Sequence, residues 1–319
     1  VKRDNDGTRN IVVPPYLIAG FTGDRSGSMA PIELASGKGL YKWLEETVTN
    51  AFNNNQIGRI FVTTFDGISE KIIEGELIKD VKAKVDDGTY DSQYCCTAMK
   101  GRGTTKLYDT AMEDLDRIIE ARDNLFDSLP ANIKDLNPDI AMIWACCTDG
   151  FDNQSRHTRS EFREKVLWAR NKGVKCFFLA ANQDAQVVGA EYGFNPDASL
   201  TFGADIERTE CALRSVTQVM REVSSGNTDC VFTQLMRETS APVTFTPSTS
   251  PTTYGMPHMP HWPPGRIQRQ VAWSPTIPSI SVSNASSVSS SNSGSSGAVM
   301  AAIAAANVTP QFVAQVGRS

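Results

Sequence analysis

The sequence predicts an α/β protein: a doubly wound, mostly parallel sheet flanked by helices, followed by a proline- and serine-rich C-terminal arm. Three observations carry this expectation. Uninterrupted apolar runs such as Tyr16-Leu17-Ile18-Ala19-Gly20-Phe21 and Ile140-Ala141-Met142-Ile143-Trp144-Ala145-Cys146-Cys147 have the length of strands covered on both faces. Between such runs lie longer segments whose apolar residues recur at helical spacing. Beyond about Ser240 the composition changes: residues 242–278 hold nine of the sixteen prolines and residues 279–296 hold eleven serines, so no packed domain can be assembled from them.

Taken in order, residues 11–23 read as the first strand, and Leu40 to Phe52 as a helix with Leu40, Trp43, Leu44, Val48 and Phe52 on its apolar stripe. Arg59 to Phe65 is a second strand, and the irregular stretch after it contains a short one at Lys71–Ile73. Leu107 to Leu125 is a helix with Leu107, Ala111, Leu115, Ile118 and Ile119 along one side. Ile140 to Cys147 is the central buried strand, followed by a helix from Ser160 to Asn171 that Gly173 ends. Val174 to Ala180 is the next strand, Ala185 to Tyr192 a short helix, Leu200 to Phe202 an edge strand, and Ile206 to Val223 the last helix. Strands separated by helices imply a parallel arrangement. The expected division is a globular domain at 1–239 and an extended arm at 240–319, with a short alanine-rich helix at 298–306. Within the arm, Met256-Pro257-His258-Met259-Pro260-His261-Trp262-Pro263-Pro264 suits either an extended docking segment or a stiff spacer.

Charge and cysteine usage narrow the function class. No Asp or Glu follows Glu238, while Arg266, Arg269 and Arg318 make the arm positive, which leaves the net charge of −5 concentrated as an acidic globular part. An acidic surface argues against general nucleic-acid binding. Seven cysteines form no even framework and show no zinc spacing, so a reducing compartment is expected: the cytoplasm or the interior of a virus particle, with no sign of secretion. No run reaches the eighteen or more apolar residues of a membrane span. Catalysis lacks its parts. Only His157, His258 and His261 are present, no Gly-x-Ser-x-Gly elbow occurs, and Gly37-Lys38 is followed by Gly39 where a phosphate-binding loop needs Ser or Thr. The protein is therefore not expected to be an enzyme.

What the sequence does offer is a set of oxygen ligands at strand ends. Asp24-Arg25-Ser26-Gly27-Ser28 follows the first apolar run, Thr148-Asp149-Gly150 follows the central one, and Gly103-Thr104-Thr105 precedes a helix. In open α/β sheets ligands gather beyond the carboxyl ends of the strands, where both Asp24 and Asp149 fall. Asp24, Ser26 and Ser28 alternate, so an extended turn can converge their oxygens, and Gly27 permits the bend between the serines. Hydroxyl and carboxylate donors suit a hard divalent ion, Mg2+ first, with Mn2+ or Ca2+ as alternatives.

On these residues the chain resembles the von Willebrand factor A (vWA) domain family and its metal-ion-dependent adhesion site. The family's D-x-S-x-S motif matches Asp24, Ser26 and Ser28, its threonine in a G-[GT]-T-x-L segment matches Thr105, and its T-D-G aspartate matches Asp149. The segment Phe177-Phe178-Leu179-Ala180-Ala181-Asn182-Gln183-Asp184-Ala185 looks like the fifth strand and following turn of bacterial and viral members. The resemblance covers about residues 10–225 and implies a vWA/Rossmann-like fold. It also implies a metal site made of Asp24, Ser26, Ser28, Thr105 and Asp149, with a last position left to an acidic side chain of a protein partner. The function expected is a non-enzymatic interaction module in a large multiprotein assembly, its arm contacting neighbouring subunits. The alternative is a purely architectural protein, such as a minor virus-particle component, with a vestigial metal site.

Overall fold

The computed structural model describes residues 2–3, 9–10, 15–227 and 230–242. All belong to the first of two units into which the chain divides, Val1–Thr252 and Thr253–Ser319. The segment at 256–264 and the helix expected at 298–306 lie outside the described residues. A two-residue antiparallel pairing joins Lys2–Arg3 to Arg9–Asn10.

Six strands form one sheet: β1 (Tyr16–Asp24), β2 (Ile57–Phe65), β3 (Ser69–Leu77), β4 (Ile140–Thr148), β5 (Val174–Ala181) and β6 (Ser199–Phe202). Their spatial order is β3-β2-β1-β4-β5-β6, with only β3 antiparallel to its neighbour. This is a mixed, mostly parallel sheet in the doubly wound, Rossmann-like order. The central strands are buried on both sides, so their residues alternate between two cores. Leu17, Ala19, Phe21, Ile143, Ala145, Phe177 and Leu179 face one, where α1 (Glu33–Asn53), α2 (Ile78–Asp86), α3 (Ser92–Ala98) and α8 (Ile206–Ser224) pack. Ile18, Met142, Trp144, Cys146, Phe178 and Ala180 face the other, against α4 (Leu107–Ser128), α6 (Arg159–Asn171) and α7 (Ala185–Glu191). A four-residue α5 (Ala131–Lys134) follows α4, and α9 (Gln234–Ser240) closes the described part.

Several elements differ from the sequence reading. Residues 11–14 of the expected first strand lie outside the described residues, and the strand runs from Tyr16. Helix α1 starts at Glu33, seven residues before Leu40, because Gly37 and Gly39 are contact points and not breakers. A Cβ on Gly37 would lie 2.4 Å from the Cys96 Cα, and one on Gly39 would lie 2.2 Å from Leu213 Cδ1, so both admit neighbouring helices at close range. Phe52, assigned to the apolar stripe of that helix, is 57% exposed under the Lys82 ammonium. Strand β3 is nine residues long instead of three, since an edge strand is held by backbone pairing to β2 and buries little beyond Ile73. Helices α2, α3, α5 and α9 have no counterpart in that reading.

Helix α9 binds the end of the domain to β6. The Gly203 N–H donates to the Ser240 carbonyl at 2.9 Å, the Ser240 hydroxyl donates to the Thr201 carbonyl at 3.0 Å, and Arg208 Nε donates to the Ala241 carbonyl at 2.8 Å. Ser240 itself is fully buried.

One glycine in the sheet is irreplaceable. Gly58 pairs with Leu17 at the start of the β1–β2 ladder, and a Cβ there would sit 1.6 Å from the Leu17 carbonyl oxygen. Main chain cannot rotate away as a side chain can. Gly58→Ala is expected to cost about 3 kcal/mol or more in a urea titration, at or beyond the upper end of ordinary overpacking.

Candidate metal centre

The first loop is built around a carboxylate that ends a strand. Asp24 closes β1 and is fully buried; its Oδ1 accepts the Ser26 N–H at 2.7 Å and its Oδ2 accepts the Thr148 hydroxyl at 2.6 Å. The turn brings the Ser26 and Ser28 hydroxyls to 3.0 Å, and Ser28 donates to Asp149 Oδ1 at 2.8 Å. Asp24, Ser26, Ser28 and Asp149 are thus joined in one hydrogen-bonded chain across the carboxyl ends of β1 and β4. Thr105 stands beside it without a direct bond to those four side chains. It is buried, the loop before it accepts the Gly27 N–H through the Gly103 carbonyl at 3.2 Å, and a Cβ on Gly150 would lie 3.8 Å from the Thr105 hydroxyl.

The electrostatics of the pair are unusual. Burial pushes the Asp24 carboxyl up to about 6, against hydrogen bonds from Thr148 and Ser26 that favour its ionised form. Burial also raises Asp149, and Asp149 in turn adds repulsion at Asp24. Among the described residues Asp24 has no ion-pair partner. The guanidinium next to it in sequence is turned elsewhere: Arg25 Nη1 donates to Glu70 Oε2 at 2.7 Å, and its Nε lies 3.4 Å from Asp66 Oδ2. A buried acid ringed by hydroxyls, with a second acid nearby and no counter-charge, fits a hard divalent cation. No group of three or more His, Cys, Asp or Glu side chains that could hold a metal occurs among the described residues, so any ion here would depend on the serine and threonine oxygens. Cys95 and Cys176 are buried thiols pushed up to about 12 by desolvation, and Cys146 and Cys147 are also buried and raised; none is a poised thiolate.

Sequence reasoning gave no role to the residues that assemble the loops. Thr148 belongs to the Thr148-Asp149-Gly150 stretch, yet its contact is with Asp24, 124 positions away. Asn153 clasps Thr105 on both sides: its Oδ1 accepts the Thr105 N–H at 2.9 Å and its own N–H donates to the Thr105 carbonyl at 3.0 Å. Helix α4 has no cap of its own and takes one from this loop. Asp152 Oδ2 accepts the Tyr108 N–H at 3.1 Å and the Ser155 hydroxyl oxygen accepts the Asp109 N–H at 3.0 Å. Asp109 returns the contact by accepting the backbone N–H groups of Arg156 and His157, which hold its carboxyl down near 2 against the opposing effect of burial. Such long-range bonds leave no local pattern to read.

No family model matches the chain, and no curated protein matches it. Solved structures do. A crystal form of proximal thread matrix protein 1 from the mussel byssus is 11% identical over 66% of this chain and 47% of that one, with a TM-score of 0.42. The open conformation of the pilus adhesin SpaC from Lactobacillus rhamnosus GG is 10% identical over 70% and 31%, with a TM-score of 0.46. The vWF domain of a type V pili tip protein from Porphyromonas gingivalis is 8% identical over 68% and 99%, with a TM-score of 0.44. The chain spans about half the length of the first solved structures it matches. At these scores the likeness bears on neither the function nor the site residues of this chain.

Proposed function

We propose that this domain is a binding module, not an enzyme, that holds a divalent cation, Mg2+ by preference, on Asp24, Ser26, Ser28, Thr105 and Asp149. The cation would supply a positive centre for an acidic side chain of a protein partner. The observation that carries this reading is Asp24: a fully buried carboxylate, raised by burial, with hydroxyl donors and a second carboxylate around it and no ion-pair partner among the described residues. The chain's own residues prepare the place. Thr148 and the Ser26 N–H orient the Asp24 carboxylate, and Asn153 holds the threonine loop against the loop of Asp149.

The test is a melting experiment with and without chelator. Saturation to 100 times the dissociation constant stabilises by about 2.7 kcal/mol, which for a domain of this size is roughly 5–10 °C. Mg2+ or Mn2+ is expected to raise the melting temperature by that order and EDTA to reverse it. A melting temperature that ignores millimolar metal would support the architectural reading. That reading has its own support, because the Ser28 hydroxyl donates to Asp149 and links the two loops directly.

In the same proposal the arm, which α9 and its Ser240 and Ala241 contacts place beyond residue 241 and not at 240, ties the domain into an assembly. A chain ending at Pro242 keeps the Ser240 and Ala241 contacts and is expected to melt within about 2 °C of the full chain. One ending at Thr233 loses α9 and is expected to melt several degrees lower.

A further inference from the structure

The loop that follows Asp149 is pinned, yet it exposes an aromatic ring. Gly150 N–H donates to the Thr148 hydroxyl oxygen at 3.3 Å on one side of Phe151. On the other side Asp152 and Asn153 are fastened to the first turn of α4 and to Thr105. Between these anchors Phe151 is 65% exposed. It stands two residues beyond Asp149. A second exposed apolar side chain, Ile68 at 56%, lies on the opposite flank of the same threonine loop. It sits at the tip of the β2–β3 hairpin in a turn closed by Asp66, whose carboxylate accepts the Ile68 N–H at 2.8 Å. A Cβ on the intervening Gly67 would lie 2.8 Å from the Thr104 hydroxyl, so hairpin and loop touch. Gly67 and Gly150, the chain neighbours of Ile68 and Phe151, thus each approach the Gly103-Thr104-Thr105 loop.

Isolated surface hydrophobics need no explanation. A ring held on a fastened loop beside a candidate cation is different, because its ordering is complete before any partner arrives. One cation on this side is open to an acidic partner: Arg156 is 89% exposed, and its nearest carboxylate, Asp109, is 3.9 Å away and already engaged by His157. Arg102, the residue preceding Gly103, is half exposed but already paired with Asp66 and Glu70.

Resting on the metal-dependent reading above, we infer that Phe151 is the specificity-determining contact of this face. The ligand it selects is a peptide segment in which the metal-directed Asp or Glu is followed by a large apolar residue that packs on the Phe151 ring.

The test uses three synthetic octapeptides, Gly-Ser-Gly-Asp-Phe-Gly-Ser-Gly and its counterparts with Ser for Phe or Asn for Asp. Each is titrated by NMR into the full chain in Mg2+ and again in EDTA. The Asp-Phe peptide is expected to bind about ten-fold tighter than the Asp-Ser peptide, the scale set by burying one aromatic side chain. Phe151→Ser should reduce that preference to less than about three-fold while Phe151→Leu retains most of it. The melting temperature of both variants should stay at the parent value, since the replaced ring is exposed. An undiminished preference in Phe151→Ser, or no binding of any peptide to the parent protein, overturns the inference. Equal binding of the Asn-Phe peptide, unchanged by EDTA, would instead remove the metal from the reading while leaving the contact with Phe151 in place.

Discussion

Replacing Asp24 by Asn is expected to stabilise the metal-free domain and to abolish its response to Mg2+. Burial raises this carboxyl from 3.8 to about 6 in the folded protein. A group whose folded value lies above its unfolded one contributes no penalty at low pH, where both states are protonated, and the native state loses stability as pH rises from about 4 through 6. The shift of roughly two units corresponds to about 3 kcal/mol withheld from the native state at neutral pH. Asparagine removes the charge and keeps one acceptor for the Ser26 N–H, and the Thr148 hydroxyl can turn to accept from the new amide. Urea titrations in EDTA between pH 4 and pH 7 should show a steeper loss of stability with pH in the parent than in the variant. A variant less stable than the parent at pH 7 would mean that the Asp24 hydrogen bonds outweigh the burial of its charge. A variant still stabilised by Mg2+ would remove Asp24 from the metal site.

A larger loss is expected one layer below. Asp114 of α4 is buried beneath the sheet, where its Oδ2 accepts the Thr22 hydroxyl at 2.6 Å and its Oδ1 accepts Thr63 and Arg117 Nη1, each at 2.8 Å. The chain continues upward, since Trp144 Nε1 donates to the Thr22 hydroxyl oxygen at 2.8 Å. Burial raises the Asp114 carboxyl, opposed first by the two threonines and then by the arginine. Asp114→Ala would leave the Arg117 guanidinium, only 12% exposed, without its nearest carboxylate, and Thr22 and Thr63 without their acceptor. Removing one partner of a buried pair costs about 3–5 kcal/mol. Asp114→Asn keeps an acceptor and should cost distinctly less. Chemical denaturation of both variants decides the matter; equal and small losses would show that the network is dispensable.

How legible the fold was depended on where its stabilisation comes from. β1, β4 and β5 are covered on both faces, so burial itself writes continuous apolar runs, and α4 and α8 carry stripes that must face the sheet. Helix α3 is short and presents one buried thiol, Cys95, with a cap from Asp91 that resembles any turn. Strand β3 is charged, bends at two irregular positions in its pairing with β2, and carries Gly75 at φ +64° against the Phe61 ring. In the site, Asp24, Ser26 and Ser28 could be read together because they are neighbours in sequence, and Asp149 because it ends a conspicuous strand. Asn153 and Asp152 could not. Their partners, Thr105 and the first turn of α4, lie more than 40 residues earlier, and an Asn or Asp in such a loop ordinarily serves its own backbone.

That borrowed cap on α4 has a kinetic consequence. The N–H groups of Thr105, Tyr108 and Asp109 are protected by side chains of Asn153, Asp152 and Ser155, so they exchange with solvent only when that loop lifts. Their hydrogen-exchange rates report the opening equilibrium of the loop next to Asp149. A ligand that favours the closed loop would slow exchange at the start of α4 without touching that helix, while a ligand elsewhere on the domain would leave those three rates unchanged.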